Sequence, residues 1–333
     1  MTEDSRSGIT PETAVEKILS GAELTEREVR VLLATAPREA LYEAAHRVTE
    51  AFKAKSFDFC SIMNARSGKC SEDCKWCAQS ARWRTCCDEW GLRTADECVA
   101  AAKEAAANGA VRFGLVTSGR ALSEREVEVI AEAVGRIAKE TDLCPCASLG
   151  LLSETALVRL KEAGLRRFHC NLETAPSRFP SLCSTHTVEE KRRTLLAARR
   201  VGLQICCGGI LGMGESQEEL VEFAFALKEI APDSIPVNFL HPIPGTPLGD
   251  SPLPTEEQIL TGVAVLRLVN PRTALRFAGG RRDMSDTTAA RAVYVGISAG
   301  IAGPLLTTPG AVFADDRQLA LDAGYGFGPC GRG

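Results

Sequence analysis

The sequence predicts an α/β fold of the (β/α)8 TIM-barrel type, preceded by a helical extension. Two observations predict it. From about residue 58, eight short β-rich runs follow one another, each trailed by an amphipathic helical pattern or a helical turn. No short-period repeat, linker or low-complexity stretch interrupts that alternation. A doubly wound sheet would give the same alternation and is the competing architecture.

Residues up to about 50 read as helices. Thr10-Pro11 offers an N-cap followed by proline at the first helical position, and Thr25-Glu26-Arg27-Glu28 is a capping-box pattern. The candidate strands are 57–63, 111–116, 143–148, 166–172, 203–208, 234–239, 273–277 and 294–298. Helical patterns occupy 123–140, 153–163, 188–201, 216–230 and 255–269, with a shorter one at 283–292. The run PIPGTP at 242–247 reads as a stiff loop rather than a boundary. The expected organisation is an N-terminal helical extension (1–52), a barrel (53–310) and a C-terminal helix and tail closing the barrel (311–333). On such a barrel the chemistry belongs at the C-terminal ends of the strands.

Composition narrows the class. The 333 residues are 45% hydrophobic and 25% charged with a net charge of −4, ordinary for a globular protein and no footprint for nucleic acid. No apolar run is long enough to span a bilayer, and the polar N-terminus lacks the apolar core of a signal peptide, so a cytoplasmic protein is expected. Fourteen cysteines then need a reason. In a reducing compartment, clustered cysteines point to metal binding or catalysis, and isolated ones such as Cys98 to small core residues.

Just after the first strand stands Cys70-Ser71-Glu72-Asp73-Cys74-Lys75-Trp76-Cys77, a C-x3-C-x2-C array. Three thiolates this close can wrap one compact centre, and three ligands leave one iron of a four-iron cubane open. A zinc site completed by Cys60, Cys86 or Cys87 is the alternative, although structural zinc usually brings a matched second pair.

The array and its position resemble the radical S-adenosylmethionine (SAM) superfamily. The resemblance narrows to the biotin synthases through 59–80 (FCSIMNARSGKCSEDCKWCAQS), 146–153 (CASLGLLS), 171–174 (NLET), 206–215 (CCGGILGMGE), 235–248 (IPVNFLHPIPGTPL), 276–281 (RFAGGR) and 305–309 (LLTTP). It covers about residues 40–325, in order. It implies that Cys70, Cys74 and Cys77 ligate a [4Fe–4S] cluster whose open iron binds SAM, which is cleaved to a 5′-deoxyadenosyl radical. It further implies an auxiliary iron–sulfur cluster inside the barrel as sulfur donor, dethiobiotin as substrate, a flavodoxin- or ferredoxin-type electron donor, and a homodimer.

The same resemblance assigns individual residues. Cys146, Cys206 and Arg276 match the auxiliary-cluster ligands. Strand alternation makes Cys207 a packing residue if Cys206 points inward. The usual second-strand cysteine is replaced by Gly114, as in a variant group from anaerobes with a larger auxiliary cluster. Cys60 is the preferred substitute, with a buried strand thiol as its competing reading, and Cys183 or Cys144 are candidates for a fourth ligand. Asn171 and Glu173 match ribose contacts. Lys191 matches a partner for the methionyl carboxylate, against the reading of a solvated helix lysine. Gly208 and Gly209 permit close backbone approach at the cofactor, and 212–215 opens a helix whose amides can meet an anion. Asn238 matches a contact to the ureido ring, Arg112 joins the substrate set, and Trp76 would shield the cluster. His169 and His241 are weak candidates for acid–base work because no third residue completes a triad.

Two other readings remain: a related radical enzyme resembling a hydrogenase maturase or methylornithine synthase, and a non-catalytic iron–sulfur or zinc protein. Cys146 and Cys206 argue against the first, and cleavage of SAM would exclude the second. Replacing Cys70, Cys74 or Cys77 with alanine is expected to abolish 5′-deoxyadenosine formation, because alanine offers iron no ligand. A normal yield from any one variant would remove that residue from the set.

Overall fold

The chain enters through three helices, α1 (Pro11–Leu19), α2 (Glu26–Thr35) and α3 (Arg38–Phe52). Thr10 and Thr25 cap the first two through reciprocal bonds to Thr13 and Glu28, so both expected starts are built by local hydrogen bonding. The computed structural model describes residues 8–308, 310 and 312–328. The first seven residues of the extension, Pro309 of the LLTTP motif and the last five residues of the tail lie outside them.

The barrel follows as β1 (Asp58–Arg66), α4 (Ala95–Ala107), β2 (Arg112–Thr117), α5 (Glu124–Glu140), β3 (Cys144–Ser148), α6 (Glu154–Ala163), β4 (Arg167–His169), α7 (Phe179–Leu182), α8 (Val188–Arg200), β5 (Gln204–Cys206), β6 (Gly209–Leu211), α9 (Gln217–Ile230), β7 (Ser234–Phe239), α10 (Glu256–Val269), β8 (Ala274–Phe277), α11 (Asp286–Val295) and β9 (Ile297–Ile301). A final helix, α12 (Phe313–Asp322), follows. All neighbouring strands are parallel, and β5 and β6 both pair with β7, so the sheet closes into eight staves of which the fifth is broken. The doubly wound alternative is thereby excluded.

Period-2 alternation sorts every stave. Phe59, Phe113, Leu115, Phe168, Ile205, Val237 and Phe277 face outward and are at most 3% exposed, forming the core under the helices. Cys207 and Cys98 belong to that apolar layer. The inward set is polar or thiol-bearing: Cys60, Arg112, Cys146, Arg167, His169, Cys206, Asn238 and Arg276. The entry helices dock on the far side, where Tyr42 Oη lies 3.0 Å from Thr261 Oγ1 of α10 and Thr49 Oγ1 donates to Val295 O at 2.9 Å. Phe313 of α12 packs on Phe59 at 4.8 Å between ring centroids, and Tyr325 packs edge-on against Phe57.

Two expected strands move. The run at 294–298 has Tyr294 in α11, because Ser285 caps a helix that carries the β-branched stretch through Val295. The run at 203–208 stops at Cys206 and resumes at Gly209. A Cβ on Gly208 would lie 2.0 Å from Pro236 O, and one on Gly209 would lie 2.3 Å from Glu173 O. The fifth stave thus passes between two neighbouring backbones that leave no room for side chains. Gly208→Ala is expected to destabilise the chain by about 1–3 kcal/mol, as overpacking does. An unchanged urea midpoint would show that the stave can spread.

Candidate active site

The loop after β1 is shaped by backbone bonds around the cysteine array. Cys70 N donates to Gln79 O at 2.9 Å, Ala81 N returns a bond to Cys70 O at 2.8 Å, and Cys77 N donates to Cys74 O at 3.1 Å. Trp83 Nε1 donates to Cys74 O at 2.9 Å. The stiff 242–247 loop braces it from outside: Gly245, at φ +89°, sits where a Cβ would strike Arg84 O at 2.0 Å. Trp76 is half-buried and meets Phe179 edge-on. The three array thiols line a cavity of about 210 Å³. Burial pushes the Cys77 thiol up to about 11.

Cys183, expected as a candidate ligand inside the barrel, lies instead against this array, its Sγ 3.7 Å from Cys74 Sγ. The cause is Asp73, whose carboxylate accepts from Ser184 N at 2.9 Å, Thr185 N at 3.2 Å and Cys183 Sγ at 3.3 Å, tying the loop after β4 to the loop after β1. Burial works against that charge, but these bonds hold Asp73 well below the usual carboxylate range. Cys74, Cys183 and His186 offer ligand atoms within 4.8 Å of one another, and His186 Nδ1 lies 2.7 Å from Glu72 Oε2.

Asn171, Glu173 and Lys191 line the same cavity. Asn171 Oδ1 accepts from Gly208 N at 3.0 Å, and its Nδ2 donates to Glu173 Oε2 at 3.2 Å. Glu173 adopts φ +77°, held by bonds from its N to Gly208 O and from Ile210 N to its O. Lys191 is buried on α8, not solvated. Its Nζ donates to Asn171 O at 2.9 Å and lies 4.0 Å from Glu173 Oε1. Gly208 and Gly209 make their close approaches to Pro236 and Glu173, and their backbone groups brace Asn171 and Glu173. The 212–215 turn does not open the helix either: α9 begins at Gln217 with Ser216 as its cap, and Gly212 N is taken by Glu215 Oε1 at 2.7 Å.

Beyond this lies an interior cavity of about 360 Å³, which shares Cys77, His169, Asn171 and Glu173 with the first. Cys60, Cys146 and Cys206 converge on it. The Cys60 thiol donates to Ser61 O at 3.5 Å and the Cys146 thiol to Cys144 O at 3.6 Å; the nearness of the two thiols to each other lowers Cys146 and raises Cys60, and burial raises Cys206. Gly114 faces the same space, its missing Cβ 3.8 Å from that of Cys146. Cys144 is disulfide-bonded and offers no thiol there.

The floor is ionic. Arg276 Nη1 donates to Asp58 O and Gly300 O, each at 2.8 Å, and its Nε donates to Ser234 Oγ at 3.3 Å. Its Nη2 lies 3.1 Å from Asp58 Oδ1, and Arg112 Nε lies 2.8 Å from Asp58 Oδ2. Burial opposes the Asp58 charge, but the two guanidiniums hold it well below the usual carboxylate range. Arg167 completes the set through Gln204 Oε1 at 3.0 Å. At the wall, Asn238 Nδ2 donates to Gly209 O at 3.0 Å and its Oδ1 accepts from Gly279 N at 2.8 Å. At the mouth, His241 Nδ1 pairs with Asp283 Oδ2 at 2.7 Å.

Asp58, Arg167 and His169 went unassigned or undervalued from sequence. The signal was present: Asp58 stands two residues before Cys60, and Arg167 and His169 four and two residues before Asn171, each on the inward phase. Burial pushes His169 down to about 4, which leaves its ring neutral.

Residues 65–227 match the Radical SAM superfamily, and residues 236–326 match the Biotin and Thiamin Synthesis associated domain. The biotin synthase of Porphyromonas gingivalis is 51% identical over 314 residues, covering 94% of this chain and 95% of its own. That of Parabacteroides distasonis is 46% identical over 317 residues, covering 95% and 97%. Among solved structures, a methylornithine synthase superposes with a TM-score of 0.75 at 19% identity, covering 95% of this chain and 97% of its own. The FeFe-hydrogenase maturase of Carboxydothermus hydrogenoformans gives 0.78 at 18%, covering 95% and 78%, and these two show the shared fold alone. Sequence relatives across nearly the whole length, on a barrel with a thiol array at its mouth, establish that the chain belongs to the biotin synthase family of the radical SAM superfamily.

Proposed function

We propose that this chain converts dethiobiotin to biotin by radical-mediated sulfur insertion. The observation that carries the reading is one connected cavity system with three thiols at its mouth and three in its interior, on a chain 51% identical to a biotin synthase. Both sets fit iron–sulfur clusters by their donor chemistry. Thiols raised by burial become ligands when a cation takes the proton's place, and the three interior arginines suit an anionic centre. When bound, the cluster at Cys70, Cys74 and Cys77 with SAM supplies the 5′-deoxyadenosyl radical, and the interior cluster supplies sulfur. The interior thiols also favour this activity over the maturase-like and methylornithine-synthase-like alternatives.

The chain's own residues bind and orient. Lys191, buried with no room to reach solvent, presents its charge to the methionyl carboxylate beside the array. Glu173 and Asn171, locked to each other and to the fifth stave, face the ribose. Asn238 keeps one N–H and one lone pair of its carbonyl oxygen after bracing Gly209 and Gly279, and these suit a ureido ring. Arg276 and Arg112, committed to Asp58, act as charge partners of Cys60, Cys146 and Cys206, not as direct contacts to substrate. The narrow barrel keeps water from the reacting carbons.

The wider reading includes a flavodoxin- or ferredoxin-type electron donor, a homodimer and a cytoplasmic location. No helix among the described residues is long and apolar enough to cross a membrane. The division into extension, barrel and closing C-terminal segment is supported by the run of α1–α3 before β1 and by α12 after β9.

Cys146→Ser and Cys206→Ser are each expected to lose auxiliary iron and biotin formation while SAM cleavage persists, and Cys60→Ser the same if it stands in for the absent thiol at Gly114. Iron and sulfide counts after anaerobic reconstitution check this. Full auxiliary iron with normal biotin yield would remove the sulfur-donor assignment. Asn238→Ala is expected to weaken dethiobiotin roughly tenfold or more, since a lost buried partner costs about 1–3 kcal/mol. Unchanged affinity by calorimetry would move the ureido contact elsewhere.

A further inference from the structure

The interior site has three thiols, which leave one iron of a four-iron cubane open to a further ligand. Gly114 supplies none. Cys183 is drawn away to the array by Asp73, and Cys144 is disulfide-bonded. Arg276 has its Nη1 and Nε committed to the floor, and its Nη2 is ion-paired with Asp58 Oδ1 at 3.1 Å. His241 is at the mouth in a pair with Asp283, and Glu173 is held by Asn171 and faces Lys191.

One ligating side chain remains on the cavity wall. His169 is the inward residue of β4 directly across from Cys206 of β5, and adjacent parallel strands place such a pair about 5 Å apart. Its imidazole lines both cavities yet forms no hydrogen bond with any described residue. The ring is half-buried, with its edge open to the cavity rather than sealed in the core, which leaves its nitrogens available to what the cavity holds. Cys146 is close enough to act on it electrostatically. Imidazole is an established substitute for thiolate on iron–sulfur clusters.

We propose that the His169 imidazole is a ligand of the interior iron–sulfur cluster, taking the coordination position that Cys60, Cys146 and Cys206 leave open. The assignment rests on the reading of the interior as a cluster site. It also places the end of β4 at both centres, since His169 and Asn171, two residues on, each line both cavities. As a neutral ligand, imidazole leaves the cluster less negative than a fourth thiolate would.

The test isolates the interior cluster in the full chain carrying Cys70→Ala, Cys74→Ala and Cys77→Ala, so that His186 beside the array contributes no signal. The protein is labelled with nitrogen-15 histidine, reconstituted anaerobically, reduced, and examined by pulsed electron paramagnetic resonance. The expected result is a histidine nitrogen coupling that vanishes in His169→Gln. In the otherwise unaltered chain, His169→Ala should lose auxiliary iron while SAM cleavage is retained, and His169→Cys should restore the iron count. A reduced interior cluster without histidine coupling would overturn the proposal without needing any His169 variant to fold. Full auxiliary iron in His169→Gln, with weakened dethiobiotin affinity, would overturn it too and make His169 a substrate contact. If the array-less chain holds no iron and sulfide, or Cys146→Ser and Cys206→Ser lose none, the cluster-site reading itself falls and takes this assignment with it.

Discussion

Much of the interior depends on Asp58. Its carboxylate is ion-paired with Arg276 on one oxygen and Arg112 on the other, while its own carbonyl and that of Gly300 accept from Arg276 Nη1. A buried guanidinium is tolerable only with such partners. The ion pairs link β1, β2, β8 and β9 at one end of the barrel, and they set the charge of what lies above. With Arg167 added, three cations face one carboxylate, so the cavity carries positive charge in excess of its own anions. The guanidiniums act toward thiolate at each interior cysteine: with the neighbouring Cys60 thiol they lower Cys146, while burial outweighs them at Cys206 and, with the Cys146 thiol, at Cys60.

The outer centre is organised by a different carboxylate. Asp73, inside the array, gathers the backbone and side chains of 183–185 and brings Cys183 and His186 beside Cys74. The loop after β1 is thereby pinned from the β4 side by Asp73 and from the β7 side by the close approach of Gly245 to Arg84. An array of three thiols on one loop owes its shape to contacts made by two others.

The legible parts of the fold were those fixed by local rules. Capping boxes, strand alternation and the inward phase of Cys146, Cys206, Asn238 and Arg276 follow from neighbours in sequence. So did the array, because its ligands sit on one short loop. The parts that were not legible depend on which distant segments meet. Cys183 reads as an interior candidate until Asp73 is seen to hold its loop elsewhere. Gly208 and Gly209 read as a ligand cradle until the crowding of β5, β6 and β7 shows that neighbouring backbones occupy the space. Lys191 reads as solvated or buried from sequence, and only the seating of α8 on β5, with the Lys191 bond to Asn171 O, decides it.

The ionic floor has one more consequence. Asp58 and its arginines floor the interior cavity, which among the described residues reaches a mouth lined by His241 and residues 305–308 and adjoins the array cavity at Cys77, Asn171 and Glu173. On the reading proposed above, anything at the floor shares that mouth with whatever lies higher, so filling has the order of a stack, the deepest layer first and the rim last.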